Sequence, residues 1–121
     1  MSHGHYEDYF SPTLKIKGYI PLYPGNGLPS VLGIEGDEDL INPENLVEKN
    51  SPPCLIFQGT SDGLVPPSVS ERFQDAYEKK ENDQCAILWM PLAGHASDIY
   101  FPGYYNRVYM YYLERFLYVN R

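Results

Sequence analysis

Leu55-Ile-Phe-Gln-Gly-Thr-Ser-Asp-Gly-Leu-Val-Pro66 runs a short apolar segment into a turn that carries a single carboxylate, Asp62, at its tip. With Cys54 in front, the run Cys54-Leu-Ile-Phe57 is continuously apolar. It is too short for a helix and suits a strand buried on both faces. Such strands belong to parallel sheets, so the flanking sequence should alternate between strands and helices.

Downstream, Val69, Phe73, Ala76 and Tyr77 recur at helical spacing ahead of the charged stretch Glu78-Lys-Lys-Glu-Asn-Asp83, and Ser68 with Glu71 has the form of a capping box. This predicts an amphipathic helix of about three turns over 69–80. Cys85-Ala-Ile-Leu-Trp-Met90 reads as a second buried strand, followed by the loop Pro91-Leu-Ala-Gly-His-Ala-Ser-Asp98. Tyr105, Val108, Tyr109, Tyr112, Leu113 and Phe116 then repeat at i, i+3, i+4, i+7, i+8 and i+11, a C-terminal helix with a broad apolar face.

Upstream, Ile16-Lys-Gly-Tyr-Ile-Pro-Leu-Tyr23 is β-branched and aromatic and ends at the turn cluster Pro24-Gly-Asn-Gly27, so it reads as a further strand. Residues 24–52 show little periodicity and read as an excursion over the surface rather than a core element. Within them, Asn42 is placed to cap and Pro43 to open one short helix. The expected architecture is one α/β domain over residues 1–121, with about three parallel strands, flanking helices and right-handed crossovers.

The chain has 121 residues, 43% of them hydrophobic, which suits one globular domain. A net charge of −7 leaves no basic stripe, so nucleic acid and anionic membrane surfaces are not expected partners. No apolar run approaches the roughly 18 residues of a membrane helix, and the first residues lack the layout of a signal peptide. Cys54 and Cys85 each open an apolar segment and read as reduced core cysteines of a reducing, cytoplasmic setting.

Ligands of open parallel sheets bind outside the carboxyl ends of the strands. Asp62 and His95 both follow such ends, and strands joined by one helix can be neighbours, which brings a hydrogen bond of about 3 Å within reach. A carboxylate on one imidazole nitrogen fixes the tautomer and leaves the other nitrogen to act as general base. Taken singly, Gly59-Thr-Ser-Asp-Gly63 also has the composition of an ordinary turn, and His95 that of a loop histidine.

The stretch from Pro52 to Pro66, together with Ala93-Gly-His95, resembles the α/β-hydrolase family, in particular its esterase/lipase and peptidase-like branch. The first stretch is similar to that family's strand, acid and Val-Pro turn, the second to its histidine loop. The resemblance covers residues 15–121 as the last three strands of a partial α/β-hydrolase fold. It implies Asp62 as triad acid, His95 as triad histidine, a small ester or peptide substrate and no cofactor, with the excursion at 24–52 in the position of a lid.

The family's nucleophile is a serine in Gly-x-Ser-x-Gly, with an oxyanion loop earlier in the chain. The complete pattern does not occur here, but Met1-Ser-His-Gly4 matches its last four positions. The resemblance thus implies Ser2 as nucleophile and the preceding half of the sheet as missing. Two functions follow: a serine hydrolase segment acting on carboxylic esters or peptides, weak or inactive alone, or a hydrolase-derived association module without catalysis. On either reading an incomplete sheet exposes an edge, which predicts a homo-oligomer or a partner that supplies the missing sheet.

Other patterns fall short. Met1-Ser-His3 has the form of an amino-terminal Cu(II) or Ni(II) site, but removal of Met1 before a small serine would destroy it. Asp37–Glu48 resembles a calcium loop only in charge and in its final Glu, with Ile41 at position five and Asn42 where that loop needs glycine. Gly25-Asn-Gly27 lacks the third glycine of a dinucleotide site. No metal or cofactor is expected.

Overall fold

The computed structural model describes residues 15–22, 42–97 and 102–121. Ser2, Tyr23 and residues 24–41 of the expected excursion lie outside the described residues. In chain order the elements are α1 (Pro43–Leu46), β1 (Cys54–Gly59), α2 (Pro67–Lys79), β2 (Cys85–Met90) and α3 (Tyr104–Val119). β1 and β2 pair in parallel, with Cys54 opposite Cys85 and so on to Gly59 opposite Met90.

The expected third strand is present in reduced form. Residues 19–22 lie beside β1 through two parallel bridges, Tyr19 to Cys54 and Leu22 to Phe57. The Tyr19 N–H donates to the Pro53 carbonyl at 2.8 Å, Leu55 N–H to Tyr19 at 3.0 Å, and Phe57 N–H to Pro21 at 3.4 Å. A regular ladder would next use the N–H of residue 21, and Pro21 has none, so the pairing stays interrupted.

All six residues of β1 are buried, as its unbroken apolar run predicts. Alternation along the strand sends Cys54 and Ile56 to one face and Leu55 and Phe57 to the other. The first face packs on Val47, Ala76 and Tyr77, the second on Tyr105, Tyr109 and Phe116. The Phe57 and Tyr109 rings sit 4.6 Å apart, centroid to centroid, in a tilted pair.

Three expectations need correction. β2 is a partly exposed strand rather than a buried one: its ends are covered, but Ala86 is exposed and Trp89 is 36% exposed. Among the described strands only β1 flanks it, so its outer side meets solvent. The capping box is also not formed. Pro66 is the N-cap and Pro67 opens α2, because a proline φ is already helical at the first position, and this leaves Ser68 and Glu71 inside the helix.

Thirdly, the end of the excursion is not wholly a surface feature: Asn45 and residues 48–50 are exposed, but part of it enters the core. Pro43 and Val47 are buried, and Val47 belongs to the core cluster beneath α2. α1 is held there by Arg72, whose guanidinium donates to both Glu44 carboxylate oxygens at 3.0 and 3.1 Å. The Asn42 side chain makes no capping bond and instead accepts from Arg72 at 3.4 Å.

The two cysteines are free and buried at the start of adjacent strands, as expected of core thiols. The hydrogen bond shared with Cys85, together with burial, pushes the Cys54 thiol far above its usual range.

The contrast between the strands is measurable. Ile56→Ala removes a side chain with no exposure and is expected to cost about 2–5 kcal/mol. Ala86→Ser at the exposed position of β2 should stay within about 0.5 kcal/mol. Urea unfolding of both variants checks the difference.

Candidate active site

β1 and β2 end level with one another, because Gly59 is opposite Met90. The loops that follow are locked together through the main chain. Thr60 N–H donates to Met90 O at 3.1 Å and Ser61 N–H to Ala93 O at 3.0 Å. The Thr60 hydroxyl accepts from Leu92 N–H at 2.7 Å, and the Tyr105 hydroxyl bonds the Pro91 carbonyl from α3.

Gly59 makes this possible. A Cβ built at that position would lie 2.3 Å from the Ala93 carbonyl oxygen and 2.9 Å from that of Gly94. Any side chain there would push the histidine loop off the end of β1. The loop itself turns tightly, with Leu92 and Ala96 at φ of 58° and 56°, in the left-handed region.

Asp62 sits in this junction with its side chain fully buried. Its Oδ1 accepts from the N–H groups of Leu64 at 2.9 Å and Val65 at 2.8 Å. Its Oδ2 lies 2.9 Å from Nδ1 of His95, a ring whose side chain is 37% exposed. Burial by itself would raise the Asp62 carboxyl. The Val65 N–H, the His95 ring and the Leu64 N–H outweigh it and hold the group below its ordinary value of 3.8. An ionised carboxylate only accepts, so Nδ1 must carry the proton toward it, and in the neutral ring the lone pair is then on Nε2.

Of the residues predicted for the site, the structure therefore brings Asp62 and His95 together, and Ser2 lies outside the described residues. Among the described residues no group of three or more His, Cys, Asp or Glu could hold a metal ion. No helix among them is long and apolar enough to cross a membrane.

Sequence reasoning missed Gln58. It is completely buried in the middle of the core, and its amide nitrogen donates to the carbonyls of Gly59 and Val65, each at 3.1 Å. Its carbonyl accepts the Ser70 hydroxyl of α2 at 2.6 Å. Gln58 thus ties the strand, the far end of the acid turn and the following helix to one amide. The signal was available: a polar residue between Phe57 and Gly59 at the end of a buried strand must find partners.

Comparison with known proteins adds a fold. No family model matches the chain, and no curated protein does. Among solved structures, Thermogutta terrifontis esterase 2 in its paraoxon-phosphorylated form aligns with a TM-score of 0.70 at 22% identity, over 88% of this chain and 44% of that one. A truncated form of a carbohydrate esterase from gut microbiota aligns at 0.60 and 18% identity, over 84% and 43%. The acetyl ester-xyloside bifunctional hydrolase of Caldicellulosiruptor lactoaceticus aligns at 0.58 and 21%, over 82% and 42%.

Two predictions follow from the geometry. Gly59→Ala should unseat the loop that carries His95, costing several kcal/mol at the scale of other core overpacking and broadening the His95 ring signals in NMR spectra. For Asp62, the folded carboxyl lies below its unfolded value, so its contribution to stability is complete above about pH 4 and is lost as pH falls through the lower folded value. The urea midpoint of the wild type should therefore drop between pH 5 and pH 2 by more than that of Asp62→Asn.

At these identities the likeness establishes the fold: the chain has a partial α/β arrangement of the kind found in these esterases and spans less than half of their length.

Proposed function

We propose that the chain carries the acid and histidine of a serine hydrolase that acts on carboxylic esters. The observation that carries this reading is the 2.9 Å contact of Asp62 Oδ2 with His95 Nδ1, built at the carboxyl ends of two adjacent parallel strands. The esterase identity of the structural neighbours supports ester over peptide substrates.

In the proposed reaction His95 Nε2 takes the proton of a serine hydroxyl as that oxygen attacks the ester carbonyl. The bond between carbonyl carbon and leaving oxygen then breaks as His95 returns the proton to the departing alcohol. Water repeats the sequence on the acyl-enzyme and releases the acid. Asp62 is a positioning residue throughout: it holds Nδ1–H and stabilises the imidazolium, without exchanging its own proton. Its two backbone donors and its ring contact keep it ionised for that purpose.

The nucleophile proposed for this chain is Ser2, on the strength of the match of Met1-Ser-His-Gly4 to the end of Gly-x-Ser-x-Gly. The complete pattern and the Gly-rich oxyanion loop are not in the sequence. Removal of one oxyanion donor alone costs about 10²- to 10³-fold. The chain on its own is therefore expected to hydrolyse p-nitrophenyl acetate weakly or not at all.

Intact-mass analysis after treatment with a fluorophosphonate tests the assignment. A single adduct on Ser2, formed by the wild type and lost in His95→Ala, is the expected result. A labelled Ser2 that is indifferent to His95→Ala would show that Asp62 and His95 do not activate it. Turnover at the level of an ordinary esterase, abolished by His95→Ala, would show that an oxyanion site is already assembled.

A further inference from the structure

The two cysteines of the chain stand directly opposite one another at the start of β1 and β2. Both side chains lie on the sheet face that α2 covers, in one cluster with Val47, Ile56, Ala76 and Tyr77. Their sulfurs share a hydrogen bond. The main chain pins them in that register: Cys54 N–H donates to Gln84 O at 2.7 Å, and Cys85 O accepts from the side-chain amide of Gln74 on α2 at 3.1 Å. Paired strands run about 4.8 Å apart, inside the roughly 4.4–6.8 Å between Cα atoms that a disulfide spans. Side chains in register on one face keep their Cβ atoms near that strand spacing, somewhat beyond the roughly 3.5–4.5 Å of a relaxed disulfide. The strand starts must draw together slightly for the bond to close, and a bond made against that resistance is readily reduced again. The geometry suits a reversible bond rather than a permanent one.

The two thiols are not equivalent. Cys54 is 1% exposed on the inner strand, whereas Cys85 is 9% exposed on the outer one, between the exposed residues Gln84 and Ala86. A cleft of about 430 Å³ opens beside the strand starts, and its lining includes Pro53 and Gln84, the residues just ahead of the two cysteines. The shared hydrogen bond lowers the Cys85 thiol, outweighing burial and the nearby Glu78 carboxylate, and it raises Cys54 together with burial. Cys85 is thus the sulfur that gives up its proton first and meets an oxidant, and Cys54 is the one placed to resolve it.

We propose that Cys54 and Cys85 are a reversible disulfide site, closed by a peroxide, that staples β1 to β2 at the end of the sheet opposite Asp62 and His95. The Cys85 thiolate attacks one peroxide oxygen, the O–O bond breaks, and the sulfur becomes a sulfenic acid while the departing hydroxide leaves as water with the thiol's proton. The Cys54 sulfur then attacks the sulfenic sulfur. The S–O bond breaks, the S–S bond forms, and the hydroxyl leaves as a second water with the Cys54 proton. Two thiols are oxidised and one peroxide is reduced to two waters. A dithiol reverses the change by exchange, becoming a disulfide itself. The closed loop contains β1, the acid turn and α2 and leaves the His95 loop outside it. The inference is independent of the reaction proposed for Asp62 and His95.

The test treats the folded full chain with a small excess of hydrogen peroxide, alkylates the remaining thiols with N-ethylmaleimide, and maps the products by mass spectrometry. The expected result is a loss of about 2 Da, with Cys54 and Cys85 joined in one crosslinked peptide and both thiols recovered after dithiothreitol. The rate should stay within about twofold in urea concentrations below the unfolding transition, as it must for a reaction of the native state. In Cys54→Ala, peroxide should leave a sulfenic acid on Cys85 that dimedone traps, and Cys54 in Cys85→Ala should react at least about tenfold more slowly. The wild-type map decides the outcome even where a variant does not fold. A disulfide between two chains, a sulfinic acid on Cys85 beside a free Cys54, no reaction of either thiol, or a rate that climbs with urea in step with unfolding would overturn the proposal.

Discussion

At Gly59 two stretches of backbone come so close that a Cβ would stand 2.3 Å from the Ala93 carbonyl oxygen. That approach is what joins the acid turn to the histidine loop. Because the strands beneath are in parallel register and end level, Thr60, Ser61, Met90, Leu92 and Ala93 can exchange hydrogen bonds across the junction. Asp62 is then fixed from three directions, and His95 is presented to it by a loop whose own turns are set by two left-handed residues. A contact held this way needs little reorganisation, which is what the proposed role of Asp62 and His95 requires.

The interior beneath the site is tied together by single polar side chains. Gln58 links β1, the acid turn and α2. The Tyr77 hydroxyl donates to Pro52 O at 2.8 Å and the Asn82 amide to Ser51 O at 2.9 Å, tying the C-terminal end of α2 to the entry of β1. Losing any one of these would strand a buried partner, at about 1–3 kcal/mol each. The polar ties gather around the central strand, while the exposed large hydrophobics among the described residues include Ile16 and Leu22, several residues of α3, and Leu64 and Leu92 in the two loops of the site.

Much of this was legible in the sequence, for identifiable reasons. β1 announced itself as an apolar run bounded by turn residues, α2 and α3 by helical periodicity, and the Asp62–His95 meeting by the rule that loops converge at the carboxyl ends of parallel strands. What was illegible depended on contacts between distant residues. Ser68 and Glu71 satisfied a local capping pattern, yet the Pro66-Pro67 pair set the helix start two residues earlier. Pro43 and Val47 lay in a stretch without periodicity and were drawn into the core by packing against α2, with Arg72 and Glu44 fastening them. The exposure of β2 could not be read from its composition, because a buried strand and a half-covered one share the same residues. Pro21 did carry a local signal, a missing donor, and it accounts for why the first strand is only a pair of bridges.

The central claim is that Asp62 holds His95 with its proton on Nδ1. Nitrogen-15 NMR of the imidazoles reads this directly, with His95 distinguished from His3 and His5 by a His95→Gln variant. With the ring in its neutral form the account predicts a protonated Nδ1, an unprotonated Nε2, and a downfield Nδ1 proton that disappears in Asp62→Asn. A His95 with its proton on Nε2, or a spectrum unchanged by Asp62→Asn, would contradict it.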